Sequence, residues 1–194
     1  MSKQVSQVDL DQIVNKFRKL PQHSLIALKS HITEVKFPKG KILLHADKVE
    51  RNLYFLKRGI VRAYADQANG PVTFWFGQEG DVLVSMKSYI VNEKGYENIE
   101  LLEDCELYAI PTKKLKELYQ VDIDLANWGR KVIEHEFLKT EQRLISMQFK
   151  TAQERYNELI NTQPELFKRV QLGYIASYLG MSQVSLSRIR AEVK

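Results

Sequence analysis

Cysteine is almost absent: the 194-residue chain has one, Cys105. A single thiol excludes an internal disulfide, and one thiolate cannot hold an iron–sulfur cluster alone. Buried beside a strand, it reads as a small apolar residue rather than a redox sensor. Long apolar runs are missing too. No stretch approaches the ~18–20 residues of a membrane span, and Met1 to Leu20 is too polar for a signal peptide. A cytoplasmic protein without a membrane partner is the expectation. The four histidines, His23, His31, His45 and His135, fall in no metal-ligand spacing, so no metal is expected. There is no phosphate-binding loop, zinc-protease helix or Gly-x-Ser-x-Gly elbow. A metal-dependent barrel enzyme would need paired histidines on neighbouring strands, and only His31 and His45 are candidates. The chain reads as a non-enzyme.

Proline is scarce, and each of the five punctuates the pattern. Pro21 breaks a helical stretch over residues 8–30, where Leu10, Ile13, Val14 and Phe17 recur at helical spacing. Pro38 and Pro71 lie in turns of a long strand-rich block, and Pro111 closes that block. Within residues 31–111, eight short runs are rich in β-branched and aromatic residues. They are Ile32 to Phe37, Lys41 to His45, Leu53 to Leu56, Ile60 to Tyr64, Val72 to Phe76, Val82 to Ser85, Ile99 to Leu102 and Leu107 to Ile110. Gly40, Gly59, Gly70 and Gly80 mark the turns between them. Strands at roughly ten-residue intervals suggest an antiparallel barrel or jelly roll, which hides its edges. The aromatic residues Phe74, Trp75, Phe76, Tyr89 and Tyr96 read as core and pocket wall.

Helical periodicity returns at about Leu115, where Lys113 to Tyr119 reads as a solvated helix face. It then runs unbroken by proline through residues 124–150. Leu125, Trp128 and Val132 form one stripe; Ile133, Phe137, Leu144 and Met147 form another. A helix of about 40 Å exceeds what a small domain covers. The second stripe therefore points to the same helix of a second subunit, making a homodimer. Thr151, three residues before Glu154, matches a capping box that opens a further helix.

The last twenty-four residues carry the most information. Ile175, Ala176 and Leu179 line one face before Gly180, and Leu186 and Ile189 line one face after it. Gly180 sits where a helix end needs a left-handed residue. Ser182 is placed as an N-cap for the amide of Val184 or Ser185. Two short helices about a tight turn make a helix-turn-helix, whose second helix enters the DNA major groove. Its free face would carry Gln183, Ser185 and Arg188. The apolar residues here are few and small, enough to fix an angle but not to build a core. From Lys150 onward there are seven Lys or Arg against four Asp or Glu, a bias suited to phosphate. The whole chain is also basic, with net charge +5 and pI near 9.1, though that alone favours a polyanion only weakly.

This order of parts resembles the cyclic-AMP receptor and fumarate–nitrate regulator (Crp/Fnr) family of bacterial transcription factors. The resemblance is carried by Gly40, Gly59 and Gly80, by LYFLKRGIVRAY (Leu53 to Tyr64), by EGDVLVS (Glu79 to Ser85) and by IASYLGMSQVSLSRIR (Ile175 to Arg190). It implies an α+β fold in three parts: a cyclic-nucleotide-binding-like β-roll (residues 1–120), a dimerisation helix (121–150) and a C-terminal winged helix-turn-helix (151–194). It further implies double-stranded DNA as partner, a palindromic operator, and RNA polymerase as a second partner. By the family's pattern, Gln183, Val184 and Arg188 would face base edges, and Ser182 and Ser185 would bind phosphate. Arg188 matches the family's guanine-reading arginine. Gln183 and Val184 depart from the arginine and glutamate of the receptor branch, so the half-site should differ.

The β-roll departs further. Family members that hold a cyclic nucleotide carry a Gly-Glu pair and an Arg-Ser-Ala or Arg-Thr-Ala run in a phosphate cassette. Here those positions fall at Val84 and Ser85, and near Tyr96, Glu97 and Asn98. No arginine lies between Arg62 and Arg130. Cyclic AMP is therefore not expected as a cofactor, and the sequence names no other effector. The alternative function is a small-molecule sensor with vestigial DNA binding.

Overall fold

The computed structural model describes residues 7–192. Two short helices, α1 (Leu10–Phe17) and α2 (Gln22–Lys29), precede the strands β1 (Thr33–Phe37), β2 (Ile42–Leu44), β3 (Asn52–Arg58), β4 (Val61–Ala65), β5 (Val72–Gly77) and β6 (Val82–Leu83). Then come α3 (Met86–Val91), β7 (Asn98–Leu101), β8 (Cys105–Pro111), α4 (Thr112–Val121) and the long α5 (Ile123–Phe149). The chain continues through α6 (Ala152–Thr162), α7 (Leu166–Arg169), α8 (Leu172–Tyr178) and α9 (Gln183–Glu192).

The eight strands form two antiparallel four-stranded sheets, ordered β1-β8-β3-β6 and β2-β7-β4-β5. Leu44, Leu56, Val61, Leu83, Leu101 and Leu107 pack between them. Strand β3 shows why its sequence is a continuous apolar run rather than an alternating one. Leu53 and Phe55 join the cluster beneath the flanking helices, while Tyr54 and Leu56 join the cluster between the sheets, and all four are buried. Both faces of this central strand are covered. Ile13 and Val14 of α1, Leu28 of α2, Leu115 of α4, and Leu125 and Trp128 of α5 cover the first sheet's outer face. The Trp128 indole donates to the Val14 carbonyl at 3.0 Å, tying α5 to α1.

All eight sequence-predicted strands are present; Ile32 to Phe37 begins at Thr33, and Lys41 to His45 narrows to Ile42–Leu44. The run Val82 to Ser85 stops at Leu83, because Ser85 precedes a helix, α3, that sequence pattern did not indicate. That helix ends on Asn92, whose left-handed φ of 58° halts it. Gly59, at φ 117°, could carry no side chain: an added Cβ would meet Cys105 Sγ at 2.4 Å. The wing expected beside the helix-turn-helix is a correction. Among the described residues no strand follows Pro111. Between α6 and α8 the chain turns at Pro164 and forms the single-turn α7, whose Leu166 is fully buried. This stretch lacks the alternation that would make a hairpin.

The second sheet's outer face is covered by the C-terminal helices. Ile60, Phe76 and Leu102 of the roll share one cluster with Tyr156, Leu159, Leu166, Val170, Ile175, Ala176, Leu179 and Leu186. The small apolar set of the C-terminal segment is thus completed by the roll.

Candidate nucleic-acid interface

Helix α8 ends in a double hydrogen bond across its last turn. The Gly180 amide donates to Ser177 O and the Met181 amide to Ala176 O, both at 3.0 Å, with Gly180 at φ 65°. This Schellman closure stops the helix and redirects the chain within four residues. Ser182 then opens α9, its Oγ accepting from the Ser185 amide at 3.1 Å. Leu186 is fully buried and Ile189 half-buried against α8 and α6. The opposite face is open: Ser182, Gln183, Val184, Ser185 and Arg188 are all exposed, Val184 by 71 %. An exposed valine at the start of a helix is an uncovered apolar contact beside hydroxyl, amide and guanidinium groups. The side-chain Oε1 of Gln183 lies back toward α8, 3.2 Å from where a Cβ on Gly173 would stand.

Two arginines hold the far end of α8. Arg143 of α5 donates to the Tyr178 carbonyl, and Arg155 of α6 donates to the Leu179 carbonyl at 2.9 Å. Cations at the last carbonyls complement the helix dipole. Burial holds the Arg143 guanidinium below its ordinary value. Beneath the turn, the methyl of Met147 lies 2.7 Å from where a Cβ on Gly180 would stand. The end of α5 therefore buttresses the α8–α9 turn directly.

Helix α5 buries Leu125, Trp128, Gly129 and Val132, and then no further residue until Ser146. The sequence's two stripes separate as expected. The first is core; of the second, Ile133, Phe137, Leu144 and Met147 are exposed by 39, 68, 57 and 37 %. Ile123, Ala126, Arg130, Ile133, Phe137, Thr140, Leu144 and Met147 follow at alternating steps of three and four, the spacing of a heptad seam.

In the roll, the positions aligned with the phosphate cassette hold other chemistry. Val84 is half-buried, and Ser85 and Glu97 are 2 % and 6 % exposed. Gly95 brings Ser85 and Glu97 together: an added Cβ there would meet Ser85 Oγ at 2.5 Å and Glu97 Oε2 at 3.1 Å. The one buried arginine nearby in sequence, Arg62, pairs with Glu100 at 2.7 Å on the sheet's outer face. Trp75 packs into the cluster between the sheets, and Phe76 faces the C-terminal helices. Phe74 lies against Tyr96 at a tilt of 39°, with ring centroids 5.9 Å apart.

Cys105 is 1 % exposed, and burial, with the Glu103 charge, pushes its thiol up to about 12. That is the state of an inert packing residue. Sequence spacing did not reveal one convergence: His23, Asp122 and Asp124 offer ligand atoms within 4.8 Å of one another. Asp122, however, accepts from the Asp124 and Leu125 amides as the cap of α5, and Asp124 accepts from Arg18. The chain itself engages both carboxylates.

The family model described as "Cyclic nucleotide-binding domain" matches residues 34–122. No curated protein matches the sequence. Among solved structures, FixK2 from Bradyrhizobium japonicum superposes with a TM-score of 0.71 at 20% identity, covering 84% of each chain. The c-di-GMP responsive global regulator CLP of Xanthomonas campestris gives 0.71 at 16% identity, covering 89% of this chain and 91% of that one. The Thermus thermophilus catabolite activator protein gives 0.58 at 18% identity, covering 91% and 85%. At these identities the likeness is one of fold. Among the described residues, no helix is long and apolar enough to cross a membrane.

Proposed function

We propose, from the premise that residues 34–122 form a domain of the cyclic nucleotide-binding family on the fold of a Crp/Fnr regulator, that this chain is a transcription regulator. In this reading two copies pair along α5, and each lays α9 in the major groove of a palindromic operator. The observation that carries it is the open face of α9. Its polar and basic residues are exposed while Leu186 and Ile189 hold its back against α8. The bare second stripe of α5 supports the pairing, because a two-fold assembly sets two reading helices about 34 Å apart, one turn of DNA. None of this is enzyme chemistry.

Arg188 is the residue to test. Gel-shift titration on the promoter DNA beside its own gene should show Arg188→Ala losing ~1–3 kcal/mol on specific DNA and far less on random duplex. An equal loss on both would reduce Arg188 to a phosphate contact.

Cyclic AMP is not the effector in this reading. A cyclic phosphate needs a guanidinium fork, and the cassette position presents the buried carboxylate of Glu97 instead. Calorimetry with cyclic AMP should give no heat of micromolar binding, and a clear isotherm would overturn this part alone.

A further inference from the structure

The C-terminal helices are joined to their own β-roll by more than apolar contact. Arg169, at the end of α7, inserts its guanidinium between two roll carboxylates. Nε and Nη2 donate to Glu103 at 2.8 and 2.7 Å; Nη1 and Nη2 donate to Glu79 at 3.1 and 2.7 Å. The side chains of Arg169 and Glu79 are only 16 and 7 % exposed. Glu79 is itself anchored, accepting from the Gly59 amide at 2.9 Å. Two neighbouring ties run parallel. Ser177 Oγ accepts the amide of Thr73 on edge strand β5 at 2.9 Å, and the Arg62 guanidinium lies 3.6 Å from the Tyr174 ring centre. Gln78, beside Glu79, donates to Gln163 at 3.0 Å.

Arg169 stands three residues before α8, and α9 is attached through α8. The direction of α9 therefore follows from where α8 sits on the roll. Apolar packing of Ile60, Phe76 and Leu102 is non-directional, and the Thr73–Ser177 hydrogen bond adds a single directional contact from α8 itself. A fork bonded to two fixed carboxylates constrains the angle from a second point.

We propose that Arg169 is a positioning residue for DNA reading: it fixes the angle of the α8–α9 pair against its own roll, so the separation of the two reading helices is set by the roll as well as by α5. The proposal rests on the reading of α9 as the groove helix. Arg169 itself touches no DNA; it acts through α8. The turn that carries Glu79 also carries Asp81, whose carboxylate accepts from Lys139 of α5 at 3.1 Å and Lys16 of α1 at 3.2 Å. Roll, α1, α5 and the reading unit thus meet at one β5–β6 turn.

The test uses full-length protein and duplexes that the wild type selects from a random pool. Inserting one base pair between half-sites shifts one of them by ~3.4 Å and turns it by roughly a tenth of a turn. Wild-type affinity should fall about tenfold on that insertion, comparable to one mismatched base pair. In Arg169→Met the fall should shrink to about threefold or less, with affinity for a single half-site unchanged within about twofold. Loss of fold would lower both affinities together, so the change in spacing preference separates positioning from a structural role. Arg169→Met leaves two carboxylates facing each other and risks opening the joint. The triple variant Arg169→Met, Glu79→Gln, Glu103→Gln removes that repulsion and should relax spacing in the same way. Wild-type spacing preference retained in both variants overturns the proposal. If the wild type selects no duplex, the DNA-reading function fails and the positioning role with it. Hydrogen exchange across residues 151–192 would then still report Arg169 as a structural clamp.

Discussion

The outer face of the second sheet and the outward face of α5 carry similar apolar residues and meet different fates. On the sheet, Ile60, Phe76 and Leu102 are covered by α6 to α9 and ringed by satisfied polar ties. On α5, Ile133, Phe137 and Leu144 face outward, while Met147 at the end of the stripe also touches the α8–α9 turn at Gly180. The covered face makes the C-terminal helices dependent on their roll, since they supply only part of their own core. The bare face is regular at heptad spacing, which a second helix of the same kind would complement. One surface settles where α8 and α9 sit within the chain; the other is the surface along which the proposed pairing would run.

The largest expected effect comes from removing the joint's central ring. Phe76 is 6 % exposed and packs against Tyr178 with ring centroids 5.2 Å apart. Phe76→Ala should cost about 3–5 kcal/mol, measured by urea unfolding. The dependence of reader on roll predicts a single cooperative transition in the wild type. A separate early transition confined to residues 151–192 would break the comparison, because the reading unit would then own a sufficient core.

Sequence made one of these surfaces far more legible than the other. A helix stripe is a local signal: Ile133, Phe137, Leu144 and Met147 announce themselves by spacing, and the structure leaves them exposed as that reading requires. The turn of the reader was equally local, with Gly180 and Ser182 each doing what its position demands. The eight strands showed through their composition, but α3 did not, since Tyr89, Ile90 and Val91 look like strand residues. The joint had no such signal. Arg169 and Glu79 are ninety residues apart, and an isolated charge carries no period. The roll's outward apolar residues were also hidden in the sequence: on β5, Phe74, Trp75 and Phe76 are consecutive, and nothing distinguishes which faces the interior. Only the assembled sheet, with its register shift between Ala63 and Tyr64 opposite this stretch, sorts Trp75 inward and Phe76 toward the C-terminal helices.

The smaller effect tests the bare face, and its sign pattern is what gives it force. Phe137 is 68 % exposed and touches no core cluster, so Phe137→Asp should change the stability of an isolated subunit by less than about 0.5 kcal/mol. In a pair along α5 the same side chain is central and covered. A carboxylate there would weaken association by about 2 kcal/mol or more, a rise of roughly thirtyfold in the dimer dissociation constant by sedimentation equilibrium. Val132→Asp, five residues earlier on the buried stripe, should do the reverse and unfold the subunit itself, because Val132 is 5 % exposed beside Trp128 in the helix-covered core. The two substitutions introduce the same charge on one helix, and only the face differs. If Phe137→Asp left the dimer intact, pairing would have to run along another surface. The two reading helices would then have no reason to fall one DNA turn apart.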